Sequence, residues 1–166
     1  MADPFLCVLA GYDQETEARL AALQDRLYGQ GFTGTQSKNI PMHITLGAFP
    51  PSEEGTLKET MTRAAGACRP FEVDLEHIGV FGGSKVLFVA PDINRSLLQL
   101  KEHFGPSGWW TPHTTMLMDQ PEVIYRALPI LAEGFEAFQG QVTALHLYEF
   151  WPARHILSLP LANHAF

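Results

Sequence analysis

Apolar residues along the chain recur at two spacings, and the changes from one to the other divide it into strands and helices. Phe5 to Gly11 is an apolar run of strand length and is expected to be a buried first strand. Asp13 is a good helix N-cap, and Leu20, Leu23 and Leu27 then recur at helical spacing until Gly29. Residues 31–39 are rich in Gly, Thr, Ser and Asn and read as a loop. A second strand is expected from about residue 42 to 49, closed by Pro50-Pro51. Ser52 is placed to cap a helix that carries Leu57, Met61, Ala64, Ala65 and Cys68 on one side.

Between residues 71 and 80, Phe71, Val73 and Leu75 alternate with Glu72, Asp74 and Glu76, the pattern of a half-exposed strand. Gly82-Gly83 turns it into a second apolar run at 85–90, so the pair reads as a hairpin. Asp92 or Asn94 starts a third helix with Leu97, Leu100 and Phe104 inward, ended by Gly105-Pro106. A strand at about 112–118 follows, then a helix capped by Asp119 with Pro121 in its first turn. Pro129 is expected to kink or shorten that helix before Gly134. Two strands, 142–150 and 154–161, close the chain through Trp151-Pro152.

Two of these strands share a pattern. Pro-Met-His43-Ile-Thr45-Leu and Pro-His113-Thr-Thr115-Met each hold His-x-Thr followed by a hydrophobic residue. Residues two apart on a strand share a face, so His43 pairs with Thr45 and His113 with Thr115. Ile44, Leu46, Thr114 and Met116 then fall on the opposite faces. Each motif strand is preceded and followed by a helix, the order expected of a duplicated unit. Antiparallel sheets with helices on their outer faces would bury the apolar side of each motif and leave the histidine sides lining a groove between two sheets.

Composition narrows the partners. The 166 residues are 46% hydrophobic and 17% charged, a folded composition with enough length for one core. The net charge is −7, and the 11 Lys and Arg form no run. A grip on long duplex nucleic acid calls for a basic patch, so a small nucleotide or short RNA is the expected partner. No stretch approaches the ~18 apolar residues of a membrane span, and the start Met-Ala-Asp-Pro lacks a secretory pattern. A cytoplasmic monomer is the expectation. Cys7 and Cys68 read as reduced thiols.

Two imidazoles on opposite sides of a phosphorus atom suit acid–base chemistry, because a pKa near 6.5 keeps both protonation forms accessible around neutral pH. One takes the proton of the attacking oxygen and the other protonates the leaving oxygen. Hydroxyls at Thr45 and Thr115 are placed to donate to the non-bridging oxygens, where charge grows in the transition state. The scheme requires no metal and no cofactor.

The paired His-Ile-Thr-Leu and His-Thr-Thr-Met motifs, with the intervening Pro70-Phe71-Glu72-Val73 and Val86-Leu87-Phe88-Val89-Ala90-Pro91, resemble the two-histidine phosphoesterase superfamily, closest to its 2′,5′ RNA ligase-like and cyclic phosphodiesterase members. The resemblance covers nearly the whole chain. It implies one α+β domain over residues 1–166, bilobal and pseudo-twofold, with two antiparallel sheets, helices outside and the site in a central groove. It implies hydrolysis of a 2′,3′-cyclic phosphate or a 2′,5′-phosphodiester, with His43 and His113 catalytic and Thr45 and Thr115 binding phosphate. Several members place an arginine just after a motif. Here Leu46 leads to Gly47-Ala48-Phe49 and Met116 to Leu117-Met118, which leaves Lys38 and Arg154 as candidates by position.

Trp110, with Trp109, stands just before the second motif and is read either as a base-stacking surface or as packing at the hinge. Tyr148 and Trp151 are read as packing, and His77, His103, His146, His155 and His164 as structural. Two other function classes remain in view: a non-catalytic nucleotide or RNA-end binding module on the same fold, and a histidine-metal hydrolase. The second lacks cysteine spacing, His-x-x-x-His or a nearby carboxylate.

Overall fold

The computed structural model describes residues 3–162. Its elements are β1 (Phe5–Tyr12), α1 (Gln14–Gly29), β2 (His43–Phe49), α2 (Glu54–Ala67), β3 (Phe71–Val80), β4 (Val86–Pro91), α3 (Arg95–Glu102), β5 (Thr114–Met118), α4 (Pro121–Gly134), β6 (Phe138–Phe150) and β7 (Arg154–Pro160). The order is the one the apolar spacing predicts.

Two expected caps hold and two do not. Asp13 accepts the Thr16 N–H at 3.0 Å, and Asn94 accepts that of Leu97 at 2.9 Å. Ser52 instead lies inside a short 3₁₀ turn, Pro51–Glu53, and α2 starts after it without a side-chain cap. Asp119 takes the Gln120 N–H at 2.8 Å, one step early, and Gln120 is the N-cap of α4. Pro129 does not shorten α4, which runs through it to Gly134. Pro129 and Tyr125, whose carbonyl loses its helical partner, both lie on the exposed side.

All pairings are antiparallel, and the two expected sheets are joined in one. The order is β2-β1-β6-β3-β4-β5, with β7 also on β6. The joint is β6, whose 13 residues pair with β1 along most of their length, with β3 at one end and with β7 at the other. The four helices cover one face, burying Ile44, Leu46, Met116, Leu145 and Leu147 against Leu20, Leu27, Met61 and Leu131. The other face carries a smaller cluster of Cys7, Leu9, Tyr148 and Phe150.

Strand irregularities steer the side chains. In β3 the register slips between Leu75 and His77, so Glu76 is unpaired and the next residues to reach the core are Ile78 and Val80. The motif strands carry matching bulges. In β2, Thr45 pairs with Leu9 and Gly47 with Val8, which leaves Leu46 without a partner. In β5, Thr115 pairs with Phe88 and Leu117 with Leu87, which leaves Met116 without one. The unpaired residue is in both cases the one after the motif threonine, and both are fully buried.

Candidate active site

The motif strands β2 and β5 are the two ends of the strand order, and the sheet brings these ends together. The Thr114 hydroxyl donates to the His43 carbonyl at 3.0 Å. Since its proton is committed there, the buried Tyr12 hydroxyl donates to Thr114 Oγ1, at 2.7 Å. The Trp110 indole N–H donates to the Thr45 carbonyl at 3.0 Å. Thr114 and Trp110 thus bond the two motif segments to each other, and Tyr12 on β1 supports Thr114. Tyr12 and Thr114 were not legible as functional positions, because Tyr12 lies outside both motifs and Thr114 falls on the opposite face of its strand from His113 and Thr115.

Each imidazole is oriented in the same way. His43 Nδ1 lies 2.7 Å from the Pro41 carbonyl, and His113 Nδ1 lies 2.9 Å from the Thr111 carbonyl. A carbonyl only accepts, so Nδ1 carries the hydrogen in both rings. Nε2 is then the basic nitrogen of each neutral ring, and no described residue bonds to either. The Thr45 and Thr115 hydroxyls are likewise without a described partner.

The backbone before His43 is held from α1 and from β5. The Glu17 carboxylate accepts the Met42 N–H with both oxygens at 2.9 Å, and burial pushes its pKa up. The Gln36 side chain accepts the Met118 N–H at 2.9 Å, and the Thr35 N–H reaches the Met118 carbonyl at 2.7 Å. The loop leading into the first motif is therefore fastened to the end of the second motif strand.

Both histidines sit in surroundings that disfavour charge. His43 is lowered to about 4, chiefly by burial and in smaller part by His113 and His146, against the opposing effect of the Pro41 carbonyl. His113 is also lowered by burial, and the Phe81 and Phe88 rings lie 4.6 and 5.4 Å from its own. The Thr114–His43 hydrogen bond holds the two motif strands side by side, and His113 is among the groups that lower His43. His146 lies on the same face of the sheet: it pairs with Leu9, and its ring packs over Gly11, the partner of His43. His146 Nδ1 and His155 Nε2 share the Ser158 hydroxyl, at 2.6 and 2.7 Å. His77 pairs with Asp92, His103 contacts Cys68, and His164 lies outside the described residues.

Two cavities meet at Thr45. One, of about 410 Å³, borders His43, Thr115, Tyr28, Phe5 and Trp151. The other, of about 540 Å³, borders His113, Phe81, Trp110 and Lys101. Trp110 is half-buried and bonded at the hinge, whereas Trp109 is fully exposed. Trp151 packs at the rim of the first cavity and donates to Ser37 Oγ at 2.8 Å. Lys38 borders the first cavity, but its ammonium donates to the carbonyls of Thr33, Gln36 and Gly34 at 2.6, 3.1 and 3.4 Å. Arg154 is not brought to either cavity: it pairs with Glu149 at 3.2 Å and Glu54 at 3.4 Å. Among the described residues no three His, Cys, Asp or Glu side chains form a group fit to hold a metal ion. No described helix is long and apolar enough to cross a membrane.

An antiparallel α+β fold whose outer strands present two matched imidazole–hydroxyl pairs defines a phosphoesterase class built on two histidines. A family model described as the 2'-5' RNA ligase superfamily matches residues 12–150, and the chain belongs to that superfamily. Its fold is similar to that of E. coli LigT in apo form, with TM-score 0.61, 17% identity and coverage of 98% of this chain and 100% of that one. E. coli LigT complexed with 3'-AMP gives 0.64, 18%, 98% and 100%. TT0787 of Thermus thermophilus gives 0.66, 18%, 97% and 100%. No curated protein matches the sequence.

Proposed function

We propose that the protein hydrolyses a 2′,3′-cyclic phosphate or a 2′,5′-phosphodiester of a nucleotide or short RNA by two-histidine acid–base catalysis. The observation that carries this reading is the matched pair of Nδ1–carbonyl hydrogen bonds, which leaves the Nε2 of His43 and of His113 without a protein partner. A structural histidine ordinarily uses both nitrogens.

His43, with a pKa of about 4, is neutral at pH 7 and is assigned as the base. Its Nε2 takes a proton from water as the water oxygen attacks phosphorus. The bond from phosphorus to the ester oxygen breaks, and that oxygen takes the Nε2 proton of His113. One water is consumed, and a phosphate monoester and a hydroxyl are formed. Afterwards His43 carries the proton that His113 lost, and exchange with solvent resets the pair. Thr45 and Thr115 donate to the non-bridging oxygens, each such charged hydrogen bond being worth roughly 1.5–3 kcal/mol. With a ribose hydroxyl in place of water as the attacking group on a 2′,3′-cyclic phosphate, the same steps join two nucleotides, the new P–O bond forming as the ring P–O bond breaks.

The first cavity suits the nucleoside that keeps the phosphate, since Tyr28, Phe5 and Trp151 offer aromatic surface. The test is a screen of 2′,3′-cyclic nucleotides and 2′,5′-dinucleotides with wild type beside the His43→Ala/His113→Ala double variant. Turnover lost in the variant supports the proposal. Binding without turnover in wild type would make the protein a nucleotide-binding module, and loss of turnover on chelation would make it a metal hydrolase.

A further inference from the structure

The second cavity contains a lysine that the catalytic scheme leaves unused. Lys101, on the last turn of α3, is only 6% exposed and borders the cavity beside His113 and Thr45. Its ammonium lies 5.7 Å from the centre of the Trp110 ring. Its hydrogen-bond acceptor is the Gly105 carbonyl at 3.4 Å, the outer edge of bonding distance. No carboxylate among the described residues pairs with it.

A buried ammonium with one long hydrogen bond is costly unless something else compensates the charge. The Gly105 carbonyl, beyond the end of α3, accounts for one of its three N–H groups. Lys101 lines the same space as the proposed acid, His113. Each cavity is of a size to hold one small ligand group, and Thr45 stands between them.

We propose that the second cavity receives the leaving nucleoside and that Lys101 binds a further phosphate on it. The preferred substrate is then a 2′,5′-linked dinucleotide or longer oligonucleotide with a phosphate beyond the scissile one, rather than a bare nucleoside cyclic phosphate. This inference rests on the two-histidine reading above.

The experiment compares kcat/KM for a 2′,5′-diadenosine monophosphate and for the same dinucleotide with a 3′-phosphate on the leaving nucleoside. Wild type is expected to prefer the phosphorylated form by about tenfold or more, the worth of a charge-assisted hydrogen bond. Lys101→Met and Lys101→Gln should abolish the preference, and Lys101→Arg should keep most of it. A lysine that only supports the fold would, when replaced, lower both rates alike and leave the ratio unchanged, and that result would overturn the proposal. Hydrolysis of 2′,3′-cyclic AMP by wild type tests the catalytic reading separately. If no substrate is turned over, titration with adenosine 3′,5′-bisphosphate followed by tryptophan fluorescence still decides about Lys101. Affinity at least about tenfold weaker in Lys101→Met supports the site, and equal affinity refutes it.

Discussion

The Thr114 hydroxyl and the His43 carbonyl, 71 positions apart in the chain, are joined by a 3.0 Å hydrogen bond that fixes one motif strand against the other. Thr114 occupies the middle of the second motif, where the first has Ile44. Its side chain is buried, and it bonds to the backbone of the residue whose ring is the proposed base. Thr114→Val keeps the shape and removes the hydroxyl that donates to the His43 carbonyl and accepts from Tyr12. A loss of about 1–3 kcal/mol in urea unfolding is expected, with a fall in turnover. Tyr12→Phe should cost less, since Thr114 keeps its own acceptor.

Removing either imidazole should stop the chemistry and spare the fold. His43→Ala and His113→Ala are each expected to lower turnover by roughly 10²–10⁴-fold, with far-ultraviolet circular dichroism unchanged. Activity within a factor of a few of wild type in either variant would refute the assigned roles.

The pH profile of kcat/KM should be bell-shaped and displaced to acid. The base must be neutral, so the acid limb falls near the His43 pKa of about 4. The acid must be protonated, and burial lowers His113, so the alkaline limb falls below the ordinary imidazole value of 6.5. A profile flat between pH 5 and 8 would contradict two-imidazole catalysis. His146→Gln removes one of the influences that lower His43 and should move the acid limb upward.

The same burial links stability to pH. His43 has a folded pKa below its unfolded value, so the unfolded chain takes up the proton first as pH falls. The contribution is fully present above 6.5 and is lost between 6.5 and about 4. At about 1.4 kcal/mol per pH unit this is on the order of 3 kcal/mol. Urea unfolding at pH 7.5 and 4.5 should show a smaller acid loss in His43→Gln than in wild type.

Gly34 has φ +66, and a Cβ there would lie 2.8 Å from the Met118 carbonyl and 2.7 Å from Leu117 Cδ1. Gly34→Ala combines left-handed strain with a backbone clash, so a loss of on the order of 2 kcal/mol is expected from thermal unfolding. Because this loop is bonded to the end of β5 and leads into His43, turnover should fall too.

How much could be read in advance follows from the range of each interaction. The alternation of Phe71, Val73 and Leu75, the helical spacing of Leu20, Leu23 and Leu27, and the Asp13 and Asn94 caps act within a few residues, and the chain alone displays them. So does the two-residue step that puts His43 with Thr45 and His113 with Thr115. Ser52 and Asp119 misled because a good capping residue caps only where the backbone turns, and nearby prolines set that point instead. Lys38 and Arg154 had suitable charge, but carbonyls of its own loop claim Lys38, and Glu149 and Glu54 claim Arg154.

What the linear order determined was the inventory: the strands and helices, the two imidazole–hydroxyl pairs and the side of the strand each pair occupies. Tertiary structure alone decided that β6 joins everything into one sheet, that the ends of the strand order meet, that Tyr12, Glu17 and Thr114 brace the motif strands, and that Lys101 lines a cavity beside them. The division has a physical reason. Local periodicity reflects steric and solvation preferences that a short segment satisfies by itself. Closing the groove depends on bonds between residues far apart in the chain, which exist only once the sheet has curled.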